Sequence, residues 1–404
     1  MAIVRNESAV YSGSHEGVNR GTSSCPPAFL EYAWYMSLAY GMLGSAWGIG
    51  IPSIGGVLPV LLAATSFLSV GGQAIRVYKP IVWAFSTGIL VLAIQLLLHE
   101  MNTEALIEVT AFAHWLVLLI IVQPLSLRPG FLPRFAVVAL VIGIASLPFI
   151  SMRNVGGVMR AWASGTAISN PNALGMWFGF CTVHFIFWGL QCQKFILRVA
   201  SWTVALGCLY VVTLTVSRAP LLGIALACVV GLRLVLKRGF VPLLSFVLLM
   251  SLVYVSGVFD EKISYYAARG AEESGRERLW PAALERILDS PWIGVGLNDI
   301  GVRFGSNKFV IPHNGLLHIA LGAGILPMIC FLGYLARGVI GTLQIMQRFH
   351  RGEAALLPPL VVFTLFEIMV LDYTFMSPWT VVVFALAVVK RADSSRELTY
   401  GAGG

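Results

Sequence analysis

Residues 105–124 read ALIEVTAFAHWLVLLIIVQP, twenty residues in which Glu108 is the one charged side chain. At a rise of about 1.5 Å per residue such a run makes a rod of roughly 30 Å, the thickness of a bilayer's hydrocarbon core. It lacks the short alternation of a barrel strand, and lipid offers no partner to an open backbone, so a helix is the form left to it. Runs of the same kind recur near 28–47, 50–70, 79–98, 131–150, 172–191, 196–215, 219–236, 240–257, 313–336, 354–374 and 376–390. The sequence therefore predicts an all-α polytopic transmembrane helical bundle of about twelve crossings.

Composition agrees. Of 404 residues, 57% are hydrophobic and 11% charged, whereas an ordinary soluble domain is about a quarter charged. The net charge of +8 does not signal nucleic acid, because basic residues collect in the loops that orient a membrane protein. An even number of crossings puts both termini on one side. With that side cytoplasmic, every inner loop is basic and 17 of the 27 Lys and Arg fall inside, as the positive-inside rule requires. The expected organisation is a polar cytoplasmic tail at 1–27, not a cleavable signal, then nine crossings over 28–257. A long outer loop with short helices follows at 258–312, then three crossings over 313–390 and a second tail from 391. Five of the six cysteines lie in apolar runs and none forms a CxxC pair, so they read as core residues, not as metal ligands or disulfides.

Outer cations run against that rule and need a reason. They gather in three segments: Ser151 to Asn172 with Arg153 and Arg160, the turn at Ser217-Arg218, and the long loop from Asp260 to Pro312 with Arg276 and Arg278. Each segment leads into a crossing through a helix-opening signature: Asn170-Pro171-Asn172, Ser217-Arg218-Ala219-Pro220 and Pro312-His313-Asn314. Helix starts carry free N–H groups and partial positive charge, so three of them converging with arginines predict an anion site. The long loop holds seven cations against eight acids, which makes its positive potential local. Residues 274–289 predict an amphipathic helix with Leu279, Ala283, Ile287, Trp280, Leu284 and Leu288 on one broad apolar side. Gly294-Val295-Gly296 lacks the strand-turn-helix context of a dinucleotide motif, so no nucleotide is expected.

His313 at a helix start, beside an arginine-rich turn, supplies what is needed to deprotonate a hydroxyl and stabilise a phosphate leaving group. His313 and His318, five apart, do not share a helix face for a metal. No P-loop lysine and no paired His/Cys pattern occurs.

The succession Arg276, Trp280, Ser290-Pro291, Gly294-Val295-Gly296, His313-Asn314 and Gly322-Ala323-Gly324-Ile325, preceded by Asn170-Pro171-Asn172-Ala173-Leu174 and Ser217-Arg218-Ala219, resembles the O-antigen ligase and polymerase superfamily of Gram-negative inner membranes. The resemblance spans roughly residues 165–335. It implies a lipid-carrier glycosyltransferase that moves a glycan from undecaprenyl pyrophosphate to a hydroxyl of lipid A-core oligosaccharide at the periplasmic face, without cofactor, nucleotide or metal. His313 is then the expected base. Arg218 and Arg276 are expected on the pyrophosphate, with Arg278, Arg153, Arg160, Asn314 and Asn172 as further substrate-binding residues. An O-antigen polymerase and a protein O-oligosaccharyltransferase remain alternatives within the superfamily. A small-ion transporter using Glu108 or Glu367 is the alternative outside it.

Overall fold

The computed structural model describes residues 28–44, 46, 61, 64, 79–126, 128–155, 158–236, 276–304, 308–348, 353–371 and 373–388. The expected crossing near 240–257, nearly all of that near 50–70, both tails and the first part of the long loop lie outside the described residues. The chain is a bundle of helices: α1 (Ala28–Leu43), α2 (Lys79–Leu98), α3 (Thr103–Ser126), α4 (Phe131–Ser146), α5 (Pro171–Gln191), α6 (Phe195–Leu214) and α7 (Arg218–Leu236). After these come α8 (Arg276–Asp289), α9 (Gly315–Ala323), α10 (Ile325–Arg348), α11 (Leu357–Val370) and α12 (Pro378–Val388). Among the described residues, seven helical segments are long and apolar enough to cross a membrane, and the protein is a multi-pass membrane protein.

Helix α5 is the axis. Within its span 89% of the residues are buried, against 33% for those of α2 and α6, so α5 is surrounded by protein while α2 and α6 turn Leu96, Leu97, Ile196 and Leu197 to lipid. Hydrogen bonds across helix faces hold it there: Trp177 Nε1 donates to Ala139 O on α4, and the Ser201 hydroxyl of α6 donates to Phe185 O. In lipid, such bonds together with tight apolar packing replace the hydrophobic drive as the force between helices. Aromatic rings fill the rest of the core. Trp34 stacks on Phe135, and Phe375 meets Trp115 edge-on at 5.5 Å between ring centroids.

The two ends of the bundle differ. At one end Glu31, almost fully buried, takes Arg134 through two hydrogen bonds and Arg128 at 3.0 Å, and accepts from the Tyr35 hydroxyl. This cluster locks α1 to α4. The other end carries an antiparallel hairpin, β1 (Ile150–Val155) with β2 (Val158–Ala163), in which Val155 pairs Val158 and Arg153 pairs Arg160. A smaller hairpin, β3 (Val302–Phe304) with β4 (Lys308–Val310), leads to His313.

Two expectations need correction here. The single crossing expected over 313–336 is two helices, the short buried α9 and the spanning α10, parted at Gly324. Gly324 has φ +88°, and a Cβ there would collide with the Trp292 carbonyl, so the break requires glycine. The chain at 291–295 docks into it, with Ile325 N–H donating to Pro291 O and Val295 N–H to Leu321 O, both at 2.7 Å. Arg337, expected beyond the end of that crossing, consequently lies inside α10. In α8, Leu279, Ala283 and Ile287 are buried as the period requires, but Leu284 and Leu288 are exposed by 51% and 72%. The apolar side of α8 is therefore split into a row facing protein and a row facing outward.

Candidate active site

The functional geometry begins at the first turn of α5. Asn170, with extended backbone, caps the helix by accepting the Ala173 N–H at 2.8 Å, and Pro171 fills the first position, where its missing N–H costs nothing. Because α5 is the central helix, this start lies at the middle of the bundle end. Asn172 is thereby held beside the chain entering α7. Its Oδ1 accepts the Ser217 hydroxyl at 2.7 Å and faces Arg160 Nη2 at 3.5 Å.

The turn between α6 and α7 is brought close by the absence of a side chain at Gly175, where a Cβ would stand 2.9 Å from Pro220 Cγ and 3.1 Å from Thr215 Oγ1. The turn itself is strained: Val216, fully buried and β-branched, has φ +47°. A left-handed backbone costs such a residue about 1–2 kcal/mol. Its consequence is positional, since it turns the Thr215 carbonyl to Arg160 Nε at 2.9 Å and Ser217 to Asn172. Two of the three expected helix starts, those carrying Asn172 and Arg218, are in direct contact.

The third start is held from both sides. Trp280 Nε1 on α8 donates to Pro312 O at 2.9 Å, and Asn314 caps α9 by accepting the N–H groups of Leu316 and Leu317. Asn314 Nδ2 also donates to Met369 O near the end of α11, and Arg276 Nη2 donates to Val370 O one residue further. Between these clamps His313 has φ +50°, an unusual conformation that its neighbours impose and that leaves the ring exposed.

These elements surround a cavity of ≈ 970 Å³. Arg160, Asn170, Asn172 and His313 form its polar side, Glu108 and His114 of α3 project from another wall, and Trp34, Leu38, Leu118, Met176 and Trp379 line its apolar part. Of the residues expected at the site, Arg160, Asn172 and His313 line this cavity together. Arg153 instead lies over the Trp162 ring, 5.3 Å from its centroid, and donates to Ser164. Asn314 and Arg276 stand behind the lining and fix α9 and α8 to α11. Arg218 opens α7 immediately after Ser217, and Arg278 is exposed on α8. Arg286 is structural, paired with the Asp299 carboxylate and the Gly301 carbonyl. Among the described residues no three His, Cys, Asp or Glu side chains come together as metal ligands would.

The charge pattern is one-sided. Arg160 and the N-terminal ends of α5, α7 and α9 make one side of the site attractive to anions, whereas Glu108 makes the α3 wall negative. Sequence reading passed over Trp162, Trp379 and His114, and placed Glu108 only as a membrane-embedded acid. The hairpin was missed too, although Gly156-Gly157 between two six-residue strands is a two-residue hairpin signal.

Residues 203–332 match a protein-family model described as O-Antigen ligase. The matched stretch carries Arg218, Arg276, Arg278, His313 and Asn314, while Arg160 and Asn172 precede it. Among curated proteins nothing matches.

Proposed function

We propose that this chain, residues 203–332 of which match the O-Antigen ligase family model, is an O-antigen ligase, transferring a glycan from undecaprenyl pyrophosphate to a hydroxyl of lipid A-core oligosaccharide. The reaction takes place at the periplasmic face of the bacterial inner membrane, with both termini cytoplasmic. The observation that carries this reading is that a histidine, an arginine and the capped start of the central helix line one cavity. Such a cavity meets the needs of a displacement in which an alcohol loses a proton while a pyrophosphate gains charge.

In the proposed mechanism a ring nitrogen of His313 accepts the proton of the acceptor hydroxyl. The acceptor oxygen forms its bond to the anomeric carbon as the bond from that carbon to the pyrophosphate oxygen breaks. The electron pair leaves with undecaprenyl pyrophosphate, and direct displacement inverts the anomeric centre. Arg160, Arg218 and Arg276, aided by Arg278, stabilise the departing charge and supply what a divalent cation would otherwise bring. Of these, Arg160 lines the cavity and Arg218 and Arg276 open the flanking helices. The polyprenyl tail stays in lipid.

Purified protein in nanodiscs, given undecaprenyl-pyrophosphate glycan, lipid A-core and a chelator, tests the reading. Wild type should modify lipid A-core and His313→Ala should not. Lengthening of the carrier-linked glycan in place of transfer to lipid A-core would make the protein a polymerase, and equal rates for the two proteins would remove His313 as the base.

A further inference from the structure

The cavity is larger than a pyrophosphate requires, and its α3 wall has the wrong charge for one. Glu108 points into it from the second turn of α3, with Oε2 3.7 Å from Nε2 of His318, a residue of α9 with no exposed surface. His318 is itself wedged against Phe112 and Phe375, at 6.5 and 6.3 Å between ring centroids. Its position is therefore set by packing.

Trp162 and Trp379 are two of the three indoles that line the cavity with Glu108. Trp162 on β2 is braced by the Arg153 guanidinium. Trp379, at the start of α12, is 4% exposed and packs edge-on against Trp177 at 5.4 Å. In both, the Nε1–H is buried and has no hydrogen-bond partner among the described residues. A buried indole donor normally finds an acceptor. Two indoles with unpartnered donors, on residues that line one cavity with a carboxylate, mark a place for a ligand that brings its own donors and acceptors. Sugar hydroxyls do both, and the faces of sugar rings are apolar enough to lie on indole.

We propose that Glu108, Trp162 and Trp379 form the acceptor-sugar subsite, Glu108 accepting hydrogen bonds from hydroxyls of the acceptor ring and the two indoles donating to its oxygens. This rests on the transfer proposed above and assigns the two sides of its cavity. In a direct displacement the attacking hydroxyl and the leaving pyrophosphate lie on opposite sides of the anomeric carbon. A carboxylate repels pyrophosphate, so the Glu108 wall belongs to the acceptor and the Arg160 side to the donor.

The test has a binding arm and a kinetic arm. Core oligosaccharide freed of its acyl chains is titrated onto protein in nanodiscs and followed by saturation-transfer NMR. Wild type should bind, Glu108→Gln should bind at least 10-fold more weakly, and Glu108→Asp should fall between them, with unchanged melting temperatures as the check on folding. In the transfer assay Glu108→Gln should raise the acceptor KM at least 10-fold and leave the donor KM within twofold, and Trp379→Phe should raise the acceptor KM several-fold. Absence of oligosaccharide binding by wild type, equal binding by Glu108→Gln, or a donor KM that rises with the acceptor KM would each overturn the subsite. Binding that depends on Glu108 in a protein that transfers nothing to lipid A-core would uphold the subsite and overturn the ligase reading.

Discussion

The indole N–H of Trp280 donates to the carbonyl oxygen of Pro312 at 2.9 Å, so the outer-loop helix grips the chain one residue before His313. The bond crosses from α8 to the approach to α9, where His313 has φ +50°. Trp280→Phe keeps a ring in place and removes the donor. Displacements near 1 Å at a reacting group cost up to about 100-fold in rate. The expected result is a fall in kcat of roughly 10-fold or more, with donor KM and melting temperature near wild type. Initial rates at saturating donor check it, and a wild-type kcat would show that Asn314 positions His313 alone.

The paired residues Arg153 and Arg160 should behave differently although they face each other across the hairpin. Arg160 lines the cavity and Arg153 braces Trp162. Arg160→Ala is expected to lower kcat/KM for the donor by roughly 100-fold, in the range of losing one preorganised charge donor. Arg153→Ala should leave the donor KM within a few-fold. Steady-state kinetics on both variants would refute the assignment if their order were reversed.

Gly175 lets Pro220 and Thr215 approach α5, and with them Ser217 reach Asn172. Gly175→Val forces methyl groups into a filled contact, which costs on the order of 1–3 kcal/mol. Both a lower melting temperature and lost transfer are expected. Ser217→Ala, which removes the bond without adding bulk, should reduce transfer at nearly unchanged stability.

At the opposite end, Glu31→Gln would put a neutral amide in the buried position that the partly exposed Arg128 and Arg134 reach. Breaking a buried ion pair from one side costs on the order of 3 kcal/mol. Thermal unfolding in detergent should show that loss, while transfer per folded molecule stays near the wild-type level because none of the cluster's own residues lines the cavity.

How legible the molecule was in its sequence depended on what each residue faces. The long spans could be read because lipid imposes one length and one polarity, and α2 lies at Lys79–Leu98 where a crossing was expected over 79–98. The break at Gly324 could not, because α9 is buried in protein and is as apolar as a span in lipid; only φ and the docking of residues 291–295 reveal it. The three helix starts were visible in their capping residues, and two prove to touch through Asn172 and Ser217. What composition could not rank were the outer arginines. Arg153 and Arg160 have the same local chemistry, and only the position of β2 beside α5 sets Arg160 apart. Trp162 and Trp379 were invisible as site residues, since an indole in an apolar run has no distinguishing signal until its N–H is seen to lack an acceptor.

The cavity walls come from α1, near the beginning of the chain, and from Leu371 to Trp379, near its end. During synthesis a membrane protein is inserted from its N-terminus, so Trp34 and Leu38 enter the bilayer long before Trp379 is made. A nascent chain halted after α10 already holds the matched family stretch, His313 and every arginine assigned to the donor, yet one side of its cavity stands open. On the proposed reading, competence for transfer therefore needs α12 as well as the matched family stretch.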